Sequence, residues 1–240
     1  MDGLCFRNEG TSTKHNPEFT MLELYEVHAD AEAMATEVED IITAAVRDVH
    51  GAAGRISTDV FDQPFKTLSL REAVADATGV KADDIRKGDV LRGLAHKYHL
   101  PSSERDGVIV EKLFGKLVER FLTRPTFVYD YPADISPFAK TKDGDPETAD
   151  RMELFIGGME VANMYSELTD PDEQERRAIA YNKATDAPID YDYIEALQYG
   201  MPPCGGAGIG IDRLVVLVAG CSNIRETLAF STMRRKDEAR

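Results

Sequence analysis

Charged and aromatic side chains at alternate positions near the start of the chain are the best candidates for binding and catalysis. They occur in residues 6–25, FRNEGTSTKHNPEFTMLELY, on both sides of a polar loop. Successive side chains of a strand point to opposite faces, so the spacing predicts an antiparallel pair of strands that aims one set of residues at one face. That set is Arg7 and Glu9 before the loop, and Phe19, Met21, Glu23 and Tyr25 after it.

The loop between the two predicted strands carries further polar residues. Gly10 and the Asn16-Pro17 pair favour turns. Lys14 and His15 lie at the tip, where their side chains can swing toward an anion. A face with an arginine, two glutamates and aromatic rings is too polar for a simple core. A solvated sheet face with cross-strand ion pairs is the alternative, and composition alone favours it.

A second group of candidates lies in residues 152–168, MELFIGGMEVANMYSEL, which predict two strands around a glycine pair. Asn163, Tyr165 and Glu167 are two apart in the second of these strands. Because side chains alternate along a strand, all three share one face.

Two carboxylates, Glu153 and Glu160, lie on opposite sides of that glycine pair. Parity does not decide whether they meet, although a hairpin or a β-bulge could bring them together. The residues alone favour the interpretation that both are exposed strand carboxylates.

Residues 202–220, PPCGGAGIGIDRLVVLVAG, predict a glycine-rich strand that leads into a buried helix. The glycines let another group approach the backbone closely, and Arg213 stands at the start of the helix. A dinucleotide-binding turn is the alternative, but the glycine spacing differs and no βαβ unit surrounds it.

Helices are predicted around these strands. Residues 30–50 carry apolar side chains at helical spacing, with Asp30 as N-cap, and are expected to cover the back of the hairpin. In residues 66–122, Ser69 and Glu72 form a capping box. Other predicted elements are helices at 83–98 and 108–121, a strand and turn at 55–65, an acidic loop at 170–192 with a short helix through Arg177, and a helix at 191–199.

The length and composition indicate a globular protein. The 240 residues suit one large domain or two small ones, and 30% are charged while 42% are apolar. The net charge of -15 argues against a general polyanion-binding surface, so any RNA contact is expected to be local. The longest apolar run, 214–219, is far too short to span a membrane. Three cysteines without a CxxC spacing favour a reducing cytoplasm.

Separate stretches of the chain resemble, in order, the signatures of the class II aminoacyl-tRNA synthetases, and specifically of the lysyl-tRNA synthetases. Residues 6–25 resemble the second signature motif, and residues 202–220 resemble the third, GxGxxR. Residues 152–168 look like the amino-acid pocket and metal-binding strand, and the tail NIRETLAFSTMRR looks like the C-terminal end of the lysyl family. The resemblance implies an α+β fold, an antiparallel sheet flanked by helices. Residues 1–240 would form one catalytic domain with a helical insertion at 66–122.

The resemblance also implies an ATP site and a magnesium site. Arg7 would grip the α-phosphate of ATP and the lysine carboxylate, and Arg7 and Arg213 would be the catalytic arginines. Phe19 and Arg213 would stack on the two faces of adenine. Glu153 and Glu160 would hold Mg²⁺. The remaining ATP contacts would be Lys14 and His15 at the outer phosphates, and Glu9 and Asn16 beside the adenosine.

A lysine pocket follows from the same resemblance. Glu167 and Tyr25 would take the ε-ammonium, and Glu23 the α-amino group. Asn163 would lie on the carboxylate side, and Tyr165 along the stem. A compact ammonium on an aliphatic stem needs an acceptor at depth and an apolar wall, which this set provides.

The implied function is activation of lysine with ATP to lysyl-adenylate, followed by transfer to the acceptor end of tRNA(Lys). One alternative is a lysyl transferase that acts on a protein, like the relatives that modify elongation factor P. Another is a non-catalytic paralogue that binds ATP and lysine. Because the charged site residues are all present, the catalytic interpretations are favoured, and the close lysyl-type match in residues 6–25 favours the tRNA enzyme.

The chain begins almost at the second motif, so the family's first motif and its N-terminal anticodon-binding barrel have no counterpart in the sequence. In the family the first motif builds the dimer interface. A weak or non-native homodimer, an aggregation-prone monomer, or a partner chain that supplies the missing segment is therefore expected. An uncovered sheet edge with an apolar patch is expected beside residues 4–6.

Overall fold

The fold is built on one large sheet. The computed structural model describes residues 2–8, 10–53, 61, 63–186 and 188–231. The strands of this part of the chain are β1 (Asp2–Phe6), β2 (Glu18–Val27), β3 (Lys66–Ser69), β4 (Thr126–Tyr129), β5 (Thr141–Lys142), β6 (Asp145–Ala149), β7 (Arg151–Ile156), β8 (Met159–Ser166) and β9 (Cys204–Gly210). Seven of them form a sheet in the order β1-β2-β9-β8-β7-β4-β3, and β5 and β6 form a separate ribbon. Every pair in the sheet is antiparallel except β3 with β4.

Helices cover the sheet and form two large hydrophobic cores with it, and a small third cluster contains Met159, Val216 and Ile224. The first core packs α1 against the strands at the centre of the sheet, and the second packs α2, α3 and α4 against β4 and β7. The helices of the described residues are α1 (Ala31–Ala53), α2 (Leu70–Thr78), α3 (Gly88–Lys97), α4 (Asp106–Leu117), α5 (Pro171–Thr185), α6 (Tyr191–Gln198) and α7 (Ile211–Ala219).

The predicted hairpin forms, but its first strand is shorter than expected. β1 pairs with β2 in the register Cys5 to Phe19 and ends at Phe6. Arg7 was predicted in the strand but lies in the connecting loop, where its backbone N–H donates to the Pro17 carbonyl at 2.9 Å. The chain leaves the ladder before Gly10, whose φ of 77° is incompatible with a strand. Glu9 lies outside the described residues.

Strand β1 is one of the two edge strands of the sheet, and an exposed edge was predicted beside it from the sequence. Leu4 is 61% exposed and Phe6 is 72% exposed, so two large apolar side chains face solvent along this edge in the part of the chain that the structure describes.

Helix α1 forms where the sequence predicted a helix, and Asp30 caps it by accepting from the Ala33 N–H at 2.9 Å. Its buried face, including Met34, Val38 and Ile42, packs mainly on β7, β8 and β9. The expectation that it covers the back of the hairpin is only partly right, because only the inward side chains of β2 reach this core.

The segment 66–122 contributes both a strand and helices. It begins with β3, which pairs with β4 at the other edge of the sheet. Ser69 then caps α2, accepting from the Glu72 N–H at 3.4 Å, and Gly79 ends this helix with a φ of 77°, as predicted. The helix predicted at 83–98 is instead a 3-10 turn, Ala82–Arg86, and α3, because Lys87 is extended.

Several other expectations are settled by the helices and turns. The helix predicted at 108–121 divides into α4 and a 3-10 turn, Glu119–Phe121. Helix α5 is much longer than the short helix expected in an acidic loop, because Asp170 caps it and Glu173 pairs with Arg176 and Arg177. Most of the strand and turn predicted at 55–65 lies outside the described residues. None of the helices in the described part of the chain has the length and apolar character that a membrane span requires.

Candidate active site

A cavity of about 330 Å³ opens on the face of the sheet formed by β2, β9 and β8. All the sequence-predicted site residues line it except Glu9, which is not described, and Glu153, which is buried nearby. Those that line it are Arg7, Lys14, His15, Asn16, Phe19, Glu23, Tyr25, Glu160, Asn163, Tyr165, Glu167 and Arg213.

Strand β9 forms the floor of this cavity and separates the two sets of predicted lysine contacts. Gly208 pairs with Glu23 of β2 on one side and with Asn163 of β8 on the other. Gly206 pairs in the same way with Tyr25 and Tyr165. The side chains therefore converge over a strand that has none at these positions.

Close approach of side chains requires glycine at positions 206 and 208 of β9. A Cβ at Gly206 would collide with the Glu167 carboxylate and lie 2.9 Å from the Tyr25 ring. A Cβ at Gly208 would lie 2.7 Å from the Met21 Cε. Farther along the strand, a Cβ at Gly210 would meet the side chain of Arg213 at 3.6 Å. Glu167 thus lies toward one end of the cavity and Arg213 toward the other.

The Glu167 end of the cavity is acidic. Burial raises the pKa of Glu167 to about 7, and no lysine, arginine or histidine of the described residues pairs with its carboxylate. Burial, and then the charges of Glu167 and Glu23, raise the pKa of Tyr25. A half-buried carboxylate without a cation is unfavourable, so this end of the cavity favours a positively charged ligand.

The Arg213 end of the cavity carries the cations. Nη1 of Arg213 donates to the carbonyl of Glu160 at 2.9 Å and to its Oε2 at 3.2 Å. The guanidinium of Arg7 lies 5.3 Å from the centre of the Phe19 ring. Phe19 therefore already has a cation on one face, and the predicted adenine stacking between Phe19 and Arg213 stays a prediction.

The loop before β2 is held in place by several contacts. Lys14 Nζ donates to the Gly158 carbonyl at 2.6 Å and to Glu119 Oε1 at 3.0 Å. The Ile224 N–H donates to the Thr13 carbonyl at 2.9 Å. Lys14 is therefore engaged by protein acceptors, and contact with an anion requires it to leave them.

Two other loop residues have distinct environments. The Nδ1 of His15 lies 2.9 Å from the Ser12 hydroxyl. Asn16 is buried, and its Nδ2 donates to the Glu18 carbonyl at 2.6 Å, while its Oδ1 has no partner among the described residues. A buried unpaired acceptor is costly, so a movement of Asn16 that brings its Oδ1 to an N–H donor would be favourable.

Glu153 and Glu160 are brought into proximity by a register shift between β7 and β8 at Leu154 and Phe155. Burial, and then the charge of Glu160, raise the pKa of Glu153 to about 7, although Arg151 and Tyr131 favour its ionised form. The interpretation of these residues as exposed strand carboxylates is wrong for Glu153, which is 7% exposed, whereas the Glu160 side chain is 37% exposed.

This carboxylate pair fits a magnesium ion. Two like charges in a partly dry site are relieved by a divalent cation, and Mg²⁺ commonly takes one or two carboxylates together with phosphate oxygens and water. The described residues contain no cluster of three or more histidine, cysteine, aspartate or glutamate side chains that could hold a metal by themselves. A cation at this pair would therefore depend on a ligand for part of its coordination.

Three residues around the site were not singled out from the sequence. Arg151 and Tyr131 both bond Glu153, and the Tyr131 hydroxyl donates to its Oε2 at 2.6 Å. Asp212, at the start of α7, accepts from the Thr20 N–H of β2 at 2.5 Å. Parity with Glu153 on β7 could have indicated Arg151, but no local signal marks Tyr131, which lies on a different segment.

Comparison with known proteins identifies the family. The family model for tRNA synthetases class II (D, K and N) matches residues 3–234. The chain belongs to this family. The resemblance in the sequence and the α+β fold that it implied are thereby confirmed.

Curated relatives narrow the similarity to one branch. The chain is 42% identical over 245 residues to a lysine–tRNA ligase of Staphylococcus aureus strain MW2, a match that covers 98% of the chain and 50% of that protein. It is also 42% identical over 253 residues to the lysine–tRNA ligase of Moorella thermoacetica, with the same coverage. The chain thus spans about half the length of the curated relatives it matches.

Proposed function

We propose that the chain activates lysine with ATP to give lysyl-adenylate and pyrophosphate, and then transfers the lysyl group to tRNA(Lys). The observation that carries the proposal is the half-buried Glu167 carboxylate, which no cation of the described residues pairs with, in a cavity whose other end holds Arg7 and Arg213. This polarity suits a ligand with an ammonium at one end and phosphates at the other. The similarity to lysine–tRNA ligases supports the same substrates.

Lysine would lie along the β9 floor with its side chain toward Glu167. Glu167 and the Tyr25 hydroxyl would receive the ε-ammonium, and Tyr165 would contact the aliphatic stem. Glu23 would take the α-amino group, and Asn163 would face the carboxylate. Glu23 and Asn163 pair with the same glycine of β9, so both can contact the α-carbon end of one small ligand.

ATP would occupy the end of the cavity nearer α7. Arg7 would contact the α-phosphate, and Lys14 and His15 would reach the outer phosphates after Lys14 leaves Glu119. Adenine would lie against Phe19 and Arg213, beside Asn16. Asn16 would move to bring its unpaired Oδ1 to the adenine amino group, which is a donor. Glu9 completes the predicted set.

The first step needs no covalent intermediate on the protein. An oxygen of the lysine carboxylate attacks the α-phosphorus of ATP, and the bond to the oxygen of pyrophosphate breaks. Arg7 and Arg213 would hold the reactants and offset the charge that develops on the phosphate oxygens. Glu153 and Glu160 would hold Mg²⁺, which supplies further neutralisation of phosphate charge when it is bound.

The second step would transfer the lysyl group to tRNA(Lys). A hydroxyl of the 3′-terminal ribose attacks the carbonyl of lysyl-adenylate, and AMP leaves. The chain would contact tRNA(Lys) through its acceptor end only, in keeping with the net charge of -15. The proposal includes a homodimer or a partner chain at the β1 edge, which the exposed Leu4 and Phe6 side chains support. It also includes a cytoplasmic location.

Calorimetry tests substrate binding directly. We expect heat from lysine in the presence of ATP and Mg²⁺, with much weaker heat from arginine, and loss of the lysine heat in Glu167→Gln. Glu195→Gln, which alters an exposed carboxylate on α6 outside the cavity, is the matched control and should bind like the wild type. Absence of lysine heat in the wild type would remove the proposal.

Acceptor assays separate the tRNA enzyme from its alternatives. With radioactive lysine, we expect label on tRNA(Lys) and none on elongation factor P. Label on the protein only would favour the protein-directed transferase. Lysine and ATP binding without pyrophosphate exchange would indicate a non-catalytic paralogue.

A further inference from the structure

Arg151 occupies a central position beside the cavity, although neither the ATP contacts nor the lysine contacts include it. It begins β7, and its side chain is only 11% exposed. Its guanidinium lies 4.6 Å from the ring centre of Tyr131 and 5.5 Å from that of Tyr165. Two aromatic rings therefore restrict the plane in which it can donate hydrogen bonds.

The donors of Arg151 reach three separate partners. Nη1 donates to the hydroxyl of Ser136 at 3.0 Å, which is a buried anchor away from the predicted ligands. Nη2 donates to Oε1 of Glu153. Nε donates to Oδ1 of Asn163 at 3.2 Å. One rigid fork thus joins a proposed metal-binding carboxylate to a proposed lysine contact.

The bond to Asn163 has a chemical consequence. An asparagine amide has one accepting oxygen and one donating NH₂ group, and the two can exchange places by rotation. Because Nε of Arg151 can only donate, it fixes the oxygen of Asn163 toward itself. No described residue accepts from Nδ2 of Asn163, which lines the cavity. The NH₂ group is therefore the one offered to a ligand, and a carboxylate is the ligand group that it suits.

We propose that Arg151 is a positioning residue that sets Asn163 as a hydrogen-bond donor and so makes the site selective for an amino acid with a free α-carboxylate. This inference rests on the proposed function, because it concerns the same lysine site. Arg151 does not touch the substrate; it acts through Asn163.

The test compares lysine with lysinamide, which keeps both amino groups but lacks the carboxylate. Dissociation constants are measured by calorimetry without ATP, so the magnesium site does not contribute. The wild type should prefer lysine. Arg151→Met, which removes the donor, and Asn163→Ala should each reduce that preference about tenfold while the affinity for lysinamide changes less than about twofold. The double variant should lose no more than Asn163→Ala alone, since coupled residues are not additive.

A merely structural role for Arg151 predicts a different pattern, in which lysine and lysinamide lose affinity equally. That result would overturn the inference. A preference for lysine in Arg151→Met as strong as in the wild type would also overturn it, as would effects of the two substitutions that multiply independently in the double variant. If the wild type binds neither compound, the proposed function fails as well. If the wild type and Arg151→Met prefer lysine equally, only the inference fails.

A measurement on the wild type avoids any dependence on how the variants fold. The side-chain NH₂ signals of ¹⁵N-labelled protein are assigned to Asn163 by comparison with Asn163→Asp. We expect these signals to shift when lysine is added and to stay unchanged with lysinamide. Signals that respond equally to both compounds, or to neither, would show that the NH₂ group does not face the carboxylate.

Discussion

Nζ of Lys14 lies 3.0 Å from Oε1 of Glu119, a residue 105 positions later in the chain. The pair connects the loop before β2 to the 3-10 turn after α4. Lys14 also donates to the Gly158 carbonyl at the β7–β8 turn. Any phosphate that recruits Lys14 must therefore compete with acceptors that the protein itself supplies.

Removal of Glu119 as a competitor should strengthen ATP binding. The ion pair is partly exposed, with 44% of the Lys14 side chain and 29% of the Glu119 side chain accessible, and such pairs contribute about 0 to 1 kcal/mol. We expect Glu119→Gln to lower the KM for ATP by about two- to fivefold in pyrophosphate exchange. Glu104→Gln, which breaks the similarly exposed pair with Lys112, should leave it unchanged. An unchanged or higher KM in Glu119→Gln would contradict the competition.

Lysine affinity should depend on pH through Glu167. Burial raises the pKa of this carboxyl to about 7, and only its ionised form attracts an ammonium. We expect lysine affinity to rise as the pH increases from 6 to 8. In Glu167→Gln, affinity should fall more than about tenfold at pH 8, since a charge-assisted hydrogen bond is worth about 1.5 to 3 kcal/mol, and the remaining binding should lose this pH dependence. An unaltered pH profile in the variant would assign the dependence to another group.

The same carboxyl should affect stability in the opposite direction. Its pKa is about 7 in the folded state against 4.5 for the unperturbed group, so folding favours the protonated form. Its contribution to the free energy of unfolding is therefore greatest below pH 4.5 and is lost as the pH rises through 7. We expect Glu167→Gln to raise the Tm at pH 8 and to have little effect at pH 5. Equal effects at both pH values would show that the carboxyl is not buried at a cost.

A methyl group on the cavity floor should block lysine selectively. In Gly206→Ala, the new Cβ would collide with the Glu167 carboxylate and crowd the Tyr25 ring. We expect lysine binding to fall more than about tenfold while ATP binding, at the other end, changes little. Gly93→Ala is the control, because its Cβ meets nothing within 4 Å in helix α3 and alanine favours helices. Lysine binding at wild-type strength in Gly206→Ala would place lysine elsewhere.

Asp212 should stabilise the junction between α7 and β2. It is 7% exposed and accepts from the Thr20 N–H at 2.5 Å and from the Thr227 hydroxyl at 3.3 Å. We expect Asp212→Ala to lower the free energy of unfolding by about 1 to 3 kcal/mol in urea, because a buried donor loses its acceptor. Asp212→Asn keeps one accepting oxygen and should cost less. Equal losses in the two variants would assign the effect to charge rather than to the hydrogen bond.

Parity along single strands predicted the main groupings of the site. Glu23 and Tyr25 on β2, and Asn163, Tyr165 and Glu167 after the glycine pair, line one cavity as their spacing indicated. Alternation is a local property of strands, so it can be read without knowing which strands pair. Their chemical roles rest on the family resemblance.

Features that depend on distant contacts could not be predicted in this way. The burial of Glu153 depends on a register shift between two strands and on Tyr131 from another segment. The ion pair of Lys14 with Glu119 joins residues far apart in sequence. The length of helix α5 was underestimated because its side chains lack a clear apolar stripe, and ion pairs between neighbouring turns support it instead.

The glycines at the floor of the cavity affect how the site distinguishes ligands of different length. Glu23 and Asn163 face each other across one strand of bare backbone, so their Cα atoms are separated by two inter-strand spacings, roughly 9.5 Å. Hydrogen-bond geometry in the β2-β9-β8 ladder fixes that spacing, whatever side chains the strands carry. The backbone therefore sets the distance between the two walls of the pocket. Side-chain substitutions can change what the walls recognise but not the spacing of the strands that form them.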